Sequence, residues 1–217
     1  MNPGYRDILT ELEKDAFKEI INIAFGKAAA SLADIIGLYV ILSVPKVEVL
    51  QPDEIQHFIE RELNETKGLN IIEQYYMGKI RGAAFLVLSY ENSKQLLSLL
   101  EKDESKDSFN FFSIAMLEQE TVTEIGNIII GACVSKMAEL LKDFVTYTPP
   151  RFIGGKFSGR DLPPKLFDKE TYAIVLKTIF QFENKNISGF LFLVNSVESL
   201  DWLKKAIHDY MQHYGYE

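Results

Sequence analysis

Phe85-Leu86-Val87-Leu88 is answered 105 positions later by Phe190-Leu191-Phe192-Leu193, and the fold is read outward from that pair. Both are short, unbroken apolar runs, the kind that form strands covered on both faces. The same shift carries Glu19, Asn22 and Pro45 onto Glu124, Asn127 and Pro150. One displacement that relates apolar runs, polar residues and prolines together reads as an internal repeat.

Upstream of the first run, Thr10 to Ile36 has apolar residues at helical spacing, opened by Thr10 with Glu13 in capping-box arrangement and stopped by Gly37. Tyr39 to Leu50 is rich in β-branched residues and contains Pro45, which suits an edge or bulged strand. A short helix is predicted from Asp53 to about Leu63. Strands follow near Leu69 to Met77 and Ile80 to Ser89, turning at Gly78, and a helix runs from Asn92 to Leu100. The second half repeats this order: a long helix from about Phe109 to Lys142, an extended stretch from Phe144 to Phe157 with Pro149 and Pro150, a Pro/Gly/Asp-rich connection from Ser158 to Asp168, strands near Tyr172 to Gln181 and Ile187 to Val194, and a closing helix from Val197 to Tyr210. The polar stretch Lys102 to Ser108 is the seam. The expectation is one α+β domain over residues 1–217, built from repeats at about 8–103 and 108–214, with mostly antiparallel strands in a shared sheet and the long helices exposed across one side.

Composition narrows the function. The chain has 217 residues, about half apolar and a quarter charged, with a formal net charge of −8. That balance belongs to a folded globular chain, and the acidic surplus argues against nucleic acid as a partner, because phosphate backbones are bound by clustered Lys and Arg. The longest wholly apolar stretches fall well short of the roughly 18 residues a membrane span needs. Met1 to Asp7 lacks the basic start and apolar run of a secretory signal, so a cytoplasmic location is expected. Cys133, the single cysteine, lies in the apolar run Ile128 to Val134 and reads as core.

Around the first long helix, Asp15, Glu19, Asn22 and Gly26 fall within a roughly 60° arc, opposite Phe17, Ile20, Ile21, Ala24 and Ala28. Glu120, Glu124, Asn127 and Gly131 occupy the same arc of the second, opposite Val122, Ile125, Ile129 and Cys133. An amphipathic helix carries polar residues on its outer face in any protein, so one Glu-x-x-Asn means little. Asparagine is, however, a poor helix-interior residue, and here it recurs mid-helix in both halves with Pro after 22 intervening residues. A duplicated scaffold retained by descent would account for the same positions.

This pattern resembles the CheC, CheX and FliY phosphatases, whose motif is Asp/Ser-x3-Glu-x2-Asn-x22-Pro. Asp15, Glu19, Asn22 and Pro45 match every position; Glu124, Asn127 and Pro150 match three, with Glu120 where Asp or Ser is usual. The resemblance spans nearly the whole chain, and two motifs in a chain of this length look most like CheC. It implies hydrolysis of the phosphoaspartate of a CheY-type receiver in chemotaxis. Phosphoryl transfer from an acyl phosphate needs chiefly an in-line water and charge neutralisation, so a neutral amide that orients water can suffice. On that resemblance Asn22 and Asn127 are expected to take that role, Glu19 and Glu124 to pair with the receiver's lysine, and Asp15 and Glu120 to support the contact. Mg²⁺ is expected in the receiver, with no cofactor in this chain. CheD is a further partner the resemblance implies, and a non-catalytic adaptor or a flagellar-switch component are the rival readings. The hydrolase reading requires the Glu and Asn side chains to be open to a docking protein; packed inside and held by internal polar contacts, they would leave only an inherited scaffold.

Other signals carry less. His57, His208 and His213 are scattered, and the last pair does not share a helix face for a metal. The acidic pairs lack the Glu-x-x-His partners of a di-metal bundle. Gly154-Gly155-Lys156 lacks the remaining elements of a phosphate loop.

Overall fold

A computed structural model describes residues 8–63, 68–100, 111–140, 142–155, 171–182 and 185–215. In chain order the elements are α1 (Glu11–Ile36), β1 (Val40–Leu50), α2 (Pro52–Leu63), β2 (Leu69–Met77), β3 (Gly82–Ser89), α3 (Tyr90–Leu100), α4 (Phe111–Leu140), β4 (Thr146–Tyr147), β5 (Arg151–Gly155), β6 (Thr171–Phe182), β7 (Lys185–Ser196) and α5 (Val197–Tyr214). The seam and the Ser158–Asp168 connection lie outside the described residues.

Local chemistry sets the ends of α1. The Thr10 hydroxyl accepts from the Glu13 N–H at 3.2 Å while the Glu13 carboxylate accepts from the Thr10 N–H at 2.7 Å, satisfying two donors that the helix cannot. At the far end Gly37 takes a left-handed conformation (φ 65°) and its N–H donates to Ala33 O, a stop that a Cβ would disfavour.

Among the described residues, all seven strands join one antiparallel sheet in the order β1-β6-β7-β3-β2-β4, with β5 also on β2. The two apolar runs that opened the sequence meet at its centre, where Leu86 lies opposite Leu191, Phe85 opposite Phe192 and Val87 opposite Phe190. That register is the one a two-fold axis between Leu86 and Leu191 would impose. Exchanging β1, β2 and β3 with β4/β5, β6 and β7 leaves the strand order unchanged. This is a symmetry of arrangement; common descent of the halves remains a proposal.

Alternation divides the core in two. Ile72, Leu86, Leu88, Ile174, Leu176, Leu191 and Leu193 point to one face, where residues of α1, α3, α4 and α5 pack on them. Ile71, Phe85, Val87, Val175, Phe190 and Phe192 point to the other, where Ile55 and Phe58 of α2 meet them. On α1, Phe17, Ile20, Ile21 and Phe25 are fully buried, and each contributes about 1.5–3 kcal/mol by leaving water. The motif helices thus seat one flank on the sheet and expose the other. Among the described residues no helix is long and apolar enough to cross a membrane.

Candidate active site

The outer face of α1 carries Leu12, Asp15, Glu19, Ile23 and Gly26, all exposed. Asp15 makes a loose pair with Lys18 at 3.7 Å. A Cβ built on Gly26 would meet no described residue within 4 Å, and the same holds for Gly131 of α4, so no packing among the described residues requires glycine at either place. On α4, Glu120 and Glu124 are exposed. Among the described residues no ion pair engages Glu19, Glu120 or Glu124.

The asparagines differ from the expectation that acid and amide face outward together. Asn22 and Asn127 are half-buried, on the flank where each helix meets an edge of the sheet. Asn22 Oδ1 accepts from the Val44 N–H at 2.8 Å, and its Nδ2 reaches Val44 O at 3.4 Å. Val44 is available because β1 breaks register between Ser43 and Lys46, with Pro45 inside the irregularity. Proline cannot donate to a strand ladder, and the kink leaves Val44 paired to the helix side chain. The 22-residue gap between Asn22 and Pro45 is therefore the length of chain that returns the edge strand to the helix.

Asn127 is held by another device. Its Oδ1 accepts from Gln74 Nε2 at 3.0 Å, and the same nitrogen donates to Thr148 O at 3.0 Å. Gln74 is 3% exposed. The edge is again interrupted at prolines, since β4 ends at Tyr147 and β5 resumes at Arg151. Gly126 lets α4 lie close on β2: a Cβ there would stand 2.9 Å from the Ile72 side chain. Gln74 and Val44 were not singled out in the sequence. The signal for Gln74 was present, as it is a polar residue at the same strand parity as Ile72 and Tyr76, which face the helices.

In both sites the amide oxygen is engaged from within, which fixes the amide's orientation and leaves N–H donors on Nδ2 for the outside. Asn22 keeps one hydrogen beyond its long contact to Val44 O, and Asn127 Nδ2 has no partner among the described residues. Each site thus joins an exposed carboxylate to a fixed amide donor one turn further along the helix, flanked on α1 by apolar Leu12 and Ile23. Such an arrangement can seat a cationic group beside a bound oxygen of water or phosphoryl. Tyr210 of α5 lies near the first site, its hydroxyl pushed up by burial and further by the Glu19 carboxylate and Tyr214.

Cys133 is buried and its thiol is pushed up by desolvation, which makes it a poor nucleophile. Among the described residues no three His, Cys, Asp or Glu converge as metal ligands.

Comparison with known proteins gives likenesses in sequence and in fold. Residues 117–153, from within α4 through Asn127 and Pro150 into β5, match the model of the CheC-like family. The flagellar motor switch phosphatase FliY of Bacillus subtilis is 25% identical over 150 residues, which cover 67% of this chain and 36% of that protein, so the chain spans about a third of that relative's length. Among solved structures, Thermotoga maritima FliY superposes with a TM-score of 0.68 at 22% identity, covering 94% of this chain and 98% of that one. The FliM middle domain of H. pylori gives 0.59 at 10% identity over 91% and 99%. CheX from Vibrio vulnificus gives 0.50 at 16% identity over 82% and 99%. The structural likenesses establish a shared α+β fold, and the sequence likenesses are to the CheC-like family over residues 117–153 and to FliY.

Proposed function

We propose, with CheC, CheX and FliY kinship as the premise, that this chain hydrolyses the phosphoaspartate of a CheY-type receiver at two sites, Glu19 with Asn22 and Glu124 with Asn127. The observation that carries the reading is the pairing, on each long helix, of an exposed carboxylate with an amide whose oxygen is already engaged. An amide held in place needs no ordering when the receiver arrives, and that saves much of the entropic cost of aligning a reactant. Glu19 and Glu124 pair with the receiver's lysine and set the docking register. Asp15 and Glu120, also exposed, widen the acidic strip. Asn22 and Asn127 direct an Nδ2 hydrogen at the attacking water or at a phosphoryl oxygen as charge builds on it, while Mg²⁺ is assigned to the receiver.

The internal bonds to both asparagines bear on the alternative of an inherited scaffold. A scaffold would also hold both asparagines from within; what the hydrolase reading uses is the Nδ2 hydrogen that each leaves over. The test is the rate at which phospho-receiver disappears with the double variant Asn22→Ala plus Asn127→Ala. A loss of roughly a hundredfold or more is expected, while unchanged turnover would refute the mechanism. An adaptor would bind the receiver equally well without either asparagine and show no turnover under excess phospho-receiver.

A further inference from the structure

We infer that Gln74 is the positioning residue of the second site, supplying to Asn127 the hydrogen bond that a backbone N–H supplies to Asn22. This rests on the hydrolase reading above and assigns a role to a residue outside the motif. The 105-residue shift sets Val44 against Pro149. In the first site Val44 N–H donates to Asn22 Oδ1 at 2.8 Å. Proline has no N–H, so the equivalent donor cannot exist in the second site. Gln74 Nε2 takes that place at 3.0 Å.

The sheet register shows why only one site uses this device. Gln74 lies opposite Ala84, and Thr178 opposite Gly189, so Thr178 is the counterpart of Gln74. Thr178 is 1% exposed and its Oγ1 has no hydrogen-bond partner among the described residues; its short side chain serves no asparagine, and the first site needs none.

Gln74 is poorly explained as filler. Its Oε1 is buried without a partner among the described residues, an unfavourable arrangement that an apolar residue at this core-facing place would avoid. What the glutamine adds is a single nitrogen donating to both Thr148 O and Asn127 Oδ1. Thr148 O can only accept, which fixes which end of the Gln74 amide is nitrogen, and this in turn fixes Asn127 with oxygen inward and Nδ2 outward. Gly126 completes the device by letting α4 approach Ile72 closely enough for Gln74 to reach.

Gln74→Met keeps the volume and removes the donor. In an Asn22→Ala background, where only the second site works, it should lower kcat by roughly tenfold to a hundredfold with little change in KM for the phospho-receiver. In an Asn127→Ala background the same substitution should leave the first site's kcat within about twofold, because Asn22 is held by backbone. Equal losses in both backgrounds would mean general damage to the fold, and no loss in the first would mean that Asn127 needs no such support; either overturns the assignment. A readout independent of turnover is the Asn127 side-chain NH₂ resonance, identified by its disappearance in Asn127→Ala. Gln74→Met should shift or broaden that signal and leave the Asn22 signal in place, and an unmoved Asn127 signal refutes the inference even if the chain proves to have no phosphatase activity. Wild-type protein that fails to hydrolyse phospho-receiver would instead refute the functional reading, leaving this NMR test standing.

Discussion

The junction of α1 with β1 and that of α4 with β2, β4 and β5 occupy equivalent places in the fold but are built from different materials. The first is held by main chain: Val44 bonds Asn22, and the neighbouring cross-strand pair is Lys46 with Lys177, each turned to a surface acid, Glu48 at 2.8 Å and Glu62 at 3.6 Å. The second is held by side chains, of which Gln74 and Glu73 are buried. Gln74 bonds Asn127, and at the position matching Lys177 the Glu73 carboxylate, 2% exposed, takes Arg151 at 2.5 Å and the Tyr75 hydroxyl at 2.6 Å. Burial, with Glu73 as acceptor and neighbouring charge, pushes the Tyr75 hydroxyl up to about 12, so it stays a donor through the physiological range. Backbone atoms are present whatever the side chain, whereas the second junction depends on Gly126, Gln74, Glu73 and Arg151 together. The two junctions should therefore differ in their tolerance of substitution.

The sharpest way to break that contrast is Arg151→Ala against Lys46→Ala. The first leaves the buried Glu73 carboxylate with the Tyr75 hydroxyl but no cation and should cost about 2–3 kcal/mol, while the second removes the exposed lysine of a surface pair and should cost under about 1 kcal/mol. Urea unfolding of both variants decides it, and equal losses would erase the difference. Glycine gives a second comparison of opposite sign. Gly126→Ala drives a methyl into Ile72 and should destabilise by about 1–2 kcal/mol, whereas Gly26→Ala places one in open space and should stabilise by about 1 kcal/mol through helix propensity. Thermal melts showing both changes with the same sign would contradict the close seating of α4 on β2. The smallest effect concerns charge at the first site. The Glu19 carboxylate adds to the upward shift that burial gives Tyr210. Glu19→Gln removes a negative charge from beside the phenolate, so Tyr210 should titrate at lower pH, read as tyrosinate absorbance and identified by subtraction of Tyr210→Phe. Glu124→Gln should leave the tyrosine titration unmoved.

Much of the fold was legible residue by residue. Thr10, Glu13 and Gly37 set the ends of α1 because capping and left-handed stops are local chemistry. Leu69 to Met77 was read at its observed bounds from β-rich composition between turn signals. The second extended stretch, Phe144 to Phe157, holds within its described residues two short strands parted by Thr148, Pro149 and Pro150, since two successive prolines cannot supply ladder donors. The closing helix runs past the expected Tyr210 to Tyr214, where Gly215 caps it in a left-handed conformation.

By itself, then, the sequence determined the order of elements, the paired apolar runs, the exposed acids on both long helices and the return of a proline 22 residues past each asparagine. These follow from periodicity and from the chemistry of single residues and near neighbours. Only the tertiary structure decided which way each amide turns and what holds it. A hydrogen bond between Asn127 and Gln74 depends on how closely α4 sits on β2, and one between Asn22 and Val44 on where an edge strand kinks. Both are differences of a few ångströms between segments distant in the chain, set by packing that no local pattern encodes.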